Sequence, residues 1–376
     1  MPILDKVESW KIYRDELERQ GQALLARLPA IMEQADAVGR KLAVEPRPLL
    51  YLAGSGDSYI AAVSCQHIYW ELAGLPAFAV EAFDVALYHV PVLRAGALLI
   101  STSISGRTLT ATASLRAARD CGAPTLVITN TPGSPATAFA DYVIVLDVPS
   151  IDTSGFIPST MSYMAGMLAH HCLALALAAR LGSMAGAQIA GYRAELERAL
   201  ASLDGLLASL DAPVRDFAAR LEGRTPCLVG GGAGYGTALF GEAKLIESAM
   251  IPVDVQHVEE WAHIRRFLCG EQCPSIFLAT PGRSRARMLE IMRDARAKGA
   301  EVIAVAEAGD AEVAAVAGEV WPVPALAHET IQPLTCAIPM QLLAYCCMVL
   351  RDVRPFYADI QPIETGLTLP SNEFDA

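Results

Sequence analysis

The hydrophobic positions change period along the chain, and the change predicts its architecture. Between residues 5 and 43, Trp10, Tyr13, Leu17, Leu24 and Leu28 recur at helical spacing, and Pro46 and Pro48 close the segment. Residues 49–62 then read as a short apolar strand, a glycine turn and a helix. Two more strands follow at 75–83 and 97–108, the second ending in a Ser/Thr loop. A helix at 112–122 separates them from strands at 123–130 and 141–148, and helical sequence runs from Ser159 through Ala201 to Glu222. Strands alternating with helices predict an α/β fold whose parallel sheet is covered on both faces.

The pattern then restarts. At a shift of 178 positions Gly54 falls on Gly232, Gly56 on Gly234 and Thr102 on Thr280; at 177, Cys121-Gly122-Ala123 falls on Lys298-Gly299-Ala300. This is an internal duplication of a βαβ unit. Where the copies differ, chemistry is expected. Copy one carries Ser103-Ile104-Ser105-Gly106-Arg107-Thr108 after its strand, hydroxyls and amides ahead of a helix, which is an anion cradle. Ser58 stands at a neighbouring strand end. At the 178 shift Lys244, Glu247, Glu260 and His263 face Gln66, Tyr69, Ala82 and Val85, so one copy is expected to hold an anion and the other to supply acid–base groups.

Composition narrows the class. A chain of 376 residues with 53% apolar and 19% charged residues suits a globular protein of two domains, and a formal charge of -12 argues against nucleic acid or an acidic membrane as partner. The apolar run from Met164 to Leu181 is broken by His170 and His171 and reads as a buried helix. The start has no signal-like apolar region, so a cytoplasmic location is expected. The nine cysteines are read as reduced core thiols, without zinc-type spacing. Only five lysines occur, which makes Lys244 a poor candidate for surface filler. Lys244 and Glu247, three apart, share a helix face. The glycines of Gly230 to Gly236, with Asp254 downstream, are compatible with a dinucleotide fingerprint, but the repeat explains them as turns. No cofactor is expected, and no G-x-S-x-G elbow indicates a hydrolase.

Two βαβ copies, G-x-S-Y at Gly56, Ser58 and Tyr59, the loop Ser103, Ser105, Gly106 and Thr108, and K-L-x-E at Lys244, Leu245 and Glu247 resemble the SIS (sugar isomerase) domain family. The similarity extends to Gln341–Tyr345, covers roughly residues 45–350, and points to the branch holding the isomerase half of glucosamine-6-phosphate synthase and the deglycases of fructosamine-type phosphosugars. The resemblance implies tandem three-layer domains: a helical segment at 1–45, a first SIS domain with the phosphate loop at 46–200, a second with the catalytic helix at 201–350, and a tail at 351–376. It implies substrate binding by Gly56, Ser58, Ser103, Ile104, Ser105, Gly106, Thr108 and Thr153. Glu247 would move a proton between C1 and C2 of an open-chain sugar phosphate. His263 would assist ring opening, often from the partner subunit of a homodimer. Lys244 would stabilise the enediolate or orient Glu247, and Glu260 completes the candidate set. The family pattern K-H-G-P survives only as His263, and no lysine follows Lys298, where the synthase uses a tail lysine; the missing lysine tilts the expectation towards a deglycase-like or amine-independent substrate. The alternative is a sugar-phosphate-binding regulator without catalysis.

Overall fold

The computed structural model describes residues 5–42, 48–93, 96–149 and 157–357. Helix α1 (Lys6–Lys41) comes first, its amide at Val7 bonded by the Asp5 side chain. The first repeat follows as β1 (Leu50–Gly54), α2 (Asp57–Ile68) running into a π-turn (Tyr69–Ala73), β2 (Ala77–Glu81), α3 (Ala82–Tyr88), α4 (Val90–Leu93), β3 (Leu98–Thr102), α5 (Leu109–Asp120), β4 (Thr125–Thr129) and β5 (Tyr142–Val145). Helices α6 (Met161–Leu181), α7 (Gly186–Ala201) and α8 (Leu203–Ala219) lead to the second repeat. That repeat is β6 (Cys227–Gly230), α9 (Ala233–Ala249), β7 (Asp254–His257), α10 (Val258–His263), β8 (Ser275–Leu278), α11 (Arg285–Ala297), β9 (Val302–Glu307), α12 (Ala311–Val316), β10 (Glu319–Val323) and finally α13 (Gln332–Leu350).

Both sheets are five-stranded and wholly parallel, ordered β2-β1-β3-β4-β5 and β7-β6-β8-β9-β10. The inner strands β1, β3 and β4 are buried along their whole length, as are β6 and β8, which is why they read as unbroken apolar runs. Chain order reverses between β1 and β3 and between β6 and β8. Each sheet therefore opens a crevice at the carboxyl ends of those two strands, the place where open α/β sheets take ligands.

The sheet register corrects the alignment of the repeats. Gly56 and Gly232 cap α2 and α9 with nearly the same backbone, φ/ψ 56/-131 and 53/-133. That is a shift of 176 positions (232 minus 56), not 178. The strand pairs agree: Tyr51 lies beside Leu99 as Cys227 lies beside Ser275. The helix caps agree too, since Glu81 accepts the Phe83 amide and His257 that of Glu259. Within the helix that follows β3 (α5 in copy one, α11 in copy two) the shift becomes 177, with Gly122 and Gly299 both at φ 82. Lys244, Glu247, Glu260 and His263 thus face Ile68, Glu71, Asp84 and Leu87. The lysine and the histidine are peculiar to copy two; the acid is not.

Helices α2 and α9, counterparts of one another, cross at close range. Ser64 Oγ donates to the Ala233 carbonyl at 3.0 Å, and a Cβ on Gly236 would stand 2.2 Å from Ser64 Oγ and 2.7 Å from its amide nitrogen. Only glycine permits that approach. Around this contact α6 and α13 fill the core. Both are long and apolar enough to cross a membrane, but 83% of each such window is buried inside the protein. The two histidines of α6 are bonded internally: His170 to Tyr69 Oη (2.9 Å) and Thr102 Oγ1 (3.2 Å), His171 to Tyr192 Oη (2.8 Å).

Candidate active site

The crevice of the first sheet is walled by residues 55–58 after β1 and 103–108 after β3. The two walls are tied by Ser55 Oγ and Thr110 Oγ1 at 3.0 Å. Gly54 ends β1 where α2 turns back: a Cβ there would lie 2.5 Å from the Ser58 carbonyl carbon. Ser58 is half-buried in the first turn of α2, and Gly56, in the left-handed region, is exposed above it.

The Ser/Thr loop is pinned from beneath. The Ile104 carbonyl accepts from the Asn130 amide (2.9 Å), Thr129 Oγ1 (3.1 Å) and Thr131 Oγ1 (3.3 Å). Ser105 Oγ accepts the Arg107 amide at 3.2 Å. Gly106, at φ 60, leaves room for Ser134, whose Oγ would lie 1.9 Å from a Cβ at that position. Ser103 and Ser134 each bury a hydroxyl without a hydrogen-bond partner among the described residues. Thr108 caps α5 without a side-chain bond to it, and among the described residues no side chain bonds the first amides of the helix, the kind of terminus that can receive an anion. Thr153 lies outside the described residues.

The second wall comes from α9. Lys244 is 1% exposed, and its Nζ donates to Glu247 Oε2 at 2.5 Å and to Asp57 Oδ2 at 2.7 Å, the latter on the first residue of α2. The ammonium also sits 5.3 Å from the Phe240 ring centroid, and that ring stacks on Tyr163. Burial alone would push Lys244 down, but Asp57 and Glu247 outweigh it and hold the pKa above its usual value. Lys244 is therefore a fixed cation. Its ammonium is directed at the Glu247 and Asp57 carboxylates. Burial raises the Glu247 carboxyl, with Asp57 adding to the rise and Lys244 opposing it. A carboxylate with a raised pKa is a stronger base than an ordinary surface glutamate.

Asp57 is the residue that sequence reasoning missed. An acid at the first position of a helix reads as a complement to the helix dipole, and nothing local links it to a lysine 187 positions away. Glu260 lies on the exposed side of α10, outside this cluster. His263 is 66% exposed and bonds Glu259 Oε1 at 3.1 Å; Glu259 is in turn held by Arg287. No hydrogen bond or ion pair joins His263 to Glu247 within the described residues of one chain. Asp254, the acid a dinucleotide fingerprint would use, is committed to Arg265 at 2.5 Å.

Comparison with known proteins gives three findings. The SIS domain family model matches residues 45–176 and 224–351. Glutamine–fructose-6-phosphate aminotransferase (isomerizing) of Gloeobacter violaceus is 29% identical over 297 residues, 79% of this chain and 48% of that protein. Its namesake from Pyrococcus horikoshii is 25% identical over 342 residues, 90% of this chain and 55% of the relative. The chain thus spans about half the length of these relatives. Among solved structures, the C-terminal domain of glucosamine-fructose-6-phosphate aminotransferase from Francisella tularensis superposes with a TM-score of 0.79 at 20% identity, covering 92% of this chain and 97% of that one. A glucosamine-6-phosphate deaminase from Thermotoga maritima gives 0.70 at 16% identity, over 92% and 97% of the two chains. These structures share the fold.

Proposed function

The chain belongs to the SIS domain family, and on that premise we propose that it is a sugar-phosphate isomerase or amino-sugar-phosphate deglycase or deaminase. The observation that carries the reading is the bonding of buried Lys244 to Glu247 of α9 and to Asp57, a residue in the wall of the anion cradle. A sensor needs the cradle alone. It has no use for a carboxylate whose pKa is raised and whose position is locked by a buried ammonium. The names of the relatives and structural neighbours, aminotransferase (isomerizing), deaminase and ketose/aldose isomerase, support the same class.

In this reading the phosphate sits against Ser103, Ile104, Ser105, Gly106 and Thr108, and meets the α5 amides. Ser58 and Gly56 border the sugar. Glu247 takes the proton from C1 or C2 of the opened sugar and returns it to the neighbouring carbon. An aldose–ketose pair results, or sugar phosphate plus free amine when the adduct carries nitrogen and water completes the cleavage. Lys244 and Asp57 position Glu247 and set its basicity. His263 serves ring opening in the site of a second copy. Ile264, Phe267 and Leu268, 61%, 79% and 72% exposed beside it, support a partner covering this segment.

Glu247→Gln tests the proposal. Turnover should fall about 10²–10⁴-fold, the contribution of a positioned acid–base group, and exchange of the substrate C1 or C2 hydrogen with solvent deuterium should stop while sugar phosphate still binds. A variant that exchanges at the wild-type rate removes Glu247 from the mechanism. Mixing Glu247→Gln with His263→Ala should restore activity if the histidine crosses between copies.

A further inference from the structure

The corrected register shows that the second repeat keeps the backbone turns of the cradle, while Ser58, Ser103 and Ser105 give way to Gly234, Ala279 and Pro281. Gly54-Ser55-Gly56-Asp57-Ser58-Tyr59 lies on Gly230-Gly231-Gly232-Ala233-Gly234-Tyr235, and Gly106-Arg107-Thr108 lies on Gly282-Arg283-Ser284. Between the ends of β6 and β8, at the second switch point, lies a cavity of about 340 Å³. Its walls include Gly232 and Ala233 at the start of α9, Arg283 and Ser284 of the loop, and Trp70 and Glu71 of the π-turn. Glu71 is the counterpart of Glu247. The construction repeats that of the first site with the roles of α2 and α9 exchanged.

One feature differs. Copy two's cradle already contains an anion from its own chain. A Cβ on Gly282 would lie 2.4 Å from Glu329 Cδ, and one on Gly232 would lie 3.0 Å from Glu329 Oε1. The carboxylate thus covers both glycines. Its Oε2 accepts the Arg283 amide at 3.1 Å. In copy one the equivalent amide, Arg107, bonds only Ser105 Oγ among the described residues, and no described atom stands within 4 Å of a Cβ at Gly56. The Arg283 guanidinium has no hydrogen bond or ion pair with a described residue and faces the same cavity.

We propose that Glu329 is a built-in substitute for a phosphate group, and that it closes the second repeat's cradle to phosphate monoesters and inorganic phosphate. Its carboxylate offers the α9 terminus and the Arg283 amide what a phosphoryl oxygen would offer. An incoming phosphate would have to displace a tethered anion and would meet its charge. The second repeat's cradle is thereby self-occupied. The Asp57–Lys244 pair has the apolar counterpart Ala233 and Ile68, so the closed cradle also lacks the first site's cation.

The test is titration of the full chain and of Glu329→Ala with inorganic phosphate, followed by calorimetry and by the unfolding midpoint. The variant should bind one phosphate more per chain than the unsubstituted protein. Near ten times the dissociation constant, phosphate should raise its midpoint by roughly 2–4 °C beyond the rise seen in the parent. Adding Arg283→Ala to Glu329→Ala should weaken the extra binding about tenfold or more, as expected for loss of a charged partner. An unchanged stoichiometry, or an extra site insensitive to Arg283, overturns the proposal. Glu329→Ser provides a second, smaller polar replacement. Failure of both variants to fold in phosphate buffer would also overturn it, because phosphate should stand in for the missing carboxylate. The reading is an increment over the parent, so failure of the Ser103–Thr108 assignment lowers the baseline and leaves this result interpretable.

Discussion

Lys244→Met removes the positive charge between two carboxylates and keeps most of the side-chain volume. Glu247 Oε2 and Asp57 Oδ2 both reach one nitrogen, at 2.5 and 2.7 Å, so they are at most about 5 Å apart. At an effective dielectric near 20, two negative charges at that separation repel by about 3 kcal/mol. Breaking a buried ion pair by removing one partner costs about 3–5 kcal/mol. Water reaches the two acids, whose side chains are 22% and 32% exposed, so the lower end applies and a loss of about 3 kcal/mol is expected near pH 7.5. Urea unfolding with an unchanged m-value measures it.

The pH dependence supplies a second readout. Glu247 already has a raised pKa, so its folded form binds a proton more readily than the unfolded chain. Its contribution to stability is fully present below the unfolded pKa and is lost as pH rises through the folded one. Without Lys244 to oppose burial, that folded pKa moves up further. The stability gap between variant and parent should therefore shrink towards pH 5, and the acid limb of kcat/KM should move to higher pH. Adding Asp57→Asn to Lys244→Met removes the repulsion and should recover more than half the loss. A cost below about 1 kcal/mol, a gap constant from about pH 5 to 8, or no recovery with Asp57→Asn would refute the account of the cluster.

Two further outcomes follow from the same geometry. Ser103 buries a hydroxyl that has no hydrogen-bond partner among the described residues, so Ser103→Ala should change stability by less than about 1 kcal/mol. It should raise KM for the phosphorylated substrate with little change in kcat, and steady-state kinetics with chemical denaturation decide this. His170 and His171 are fully buried, and burial lowers them from 6.5 to about 4 and about 3. A depressed histidine contributes stability above its unfolded pKa and loses it as pH falls through the window down to the folded value. Each should cost about 2 kcal/mol between pH 7 and 5, and a His170→Gln, His171→Gln variant should show a flatter stability profile over that range.

Much of the fold was legible because period reports burial. Helical spacing along residues 5 to 43 became α1, and the apolar runs became strands buried on both faces. The hydroxyl loop after β3 and the Lys244–Glu247 pair were also readable, since both are local. The register of the duplication was not. Gly230, Gly231, Gly232 and Gly234 can be laid on Gly54 and Gly56 in two ways, and only strand pairing and the φ of Gly232 choose between them. That choice returned Glu71 as the counterpart of Glu247 and restored the second cradle.

By itself, then, the sequence determined the class of fold, the repeat, and the residue types at each strand end, because those depend on short-range periodicity and turn chemistry. Tertiary structure alone decided that Asp57 meets Lys244, because the meeting depends on how closely α2 approaches α9 at Gly236 and Ser64. It also decided that Glu329 fills the cradle beside Gly232 and Gly282. A pattern along the chain says which face is turned inward. Which charged groups then come within hydrogen-bonding distance is set by the packing of segments far apart in sequence, and no local preference encodes it.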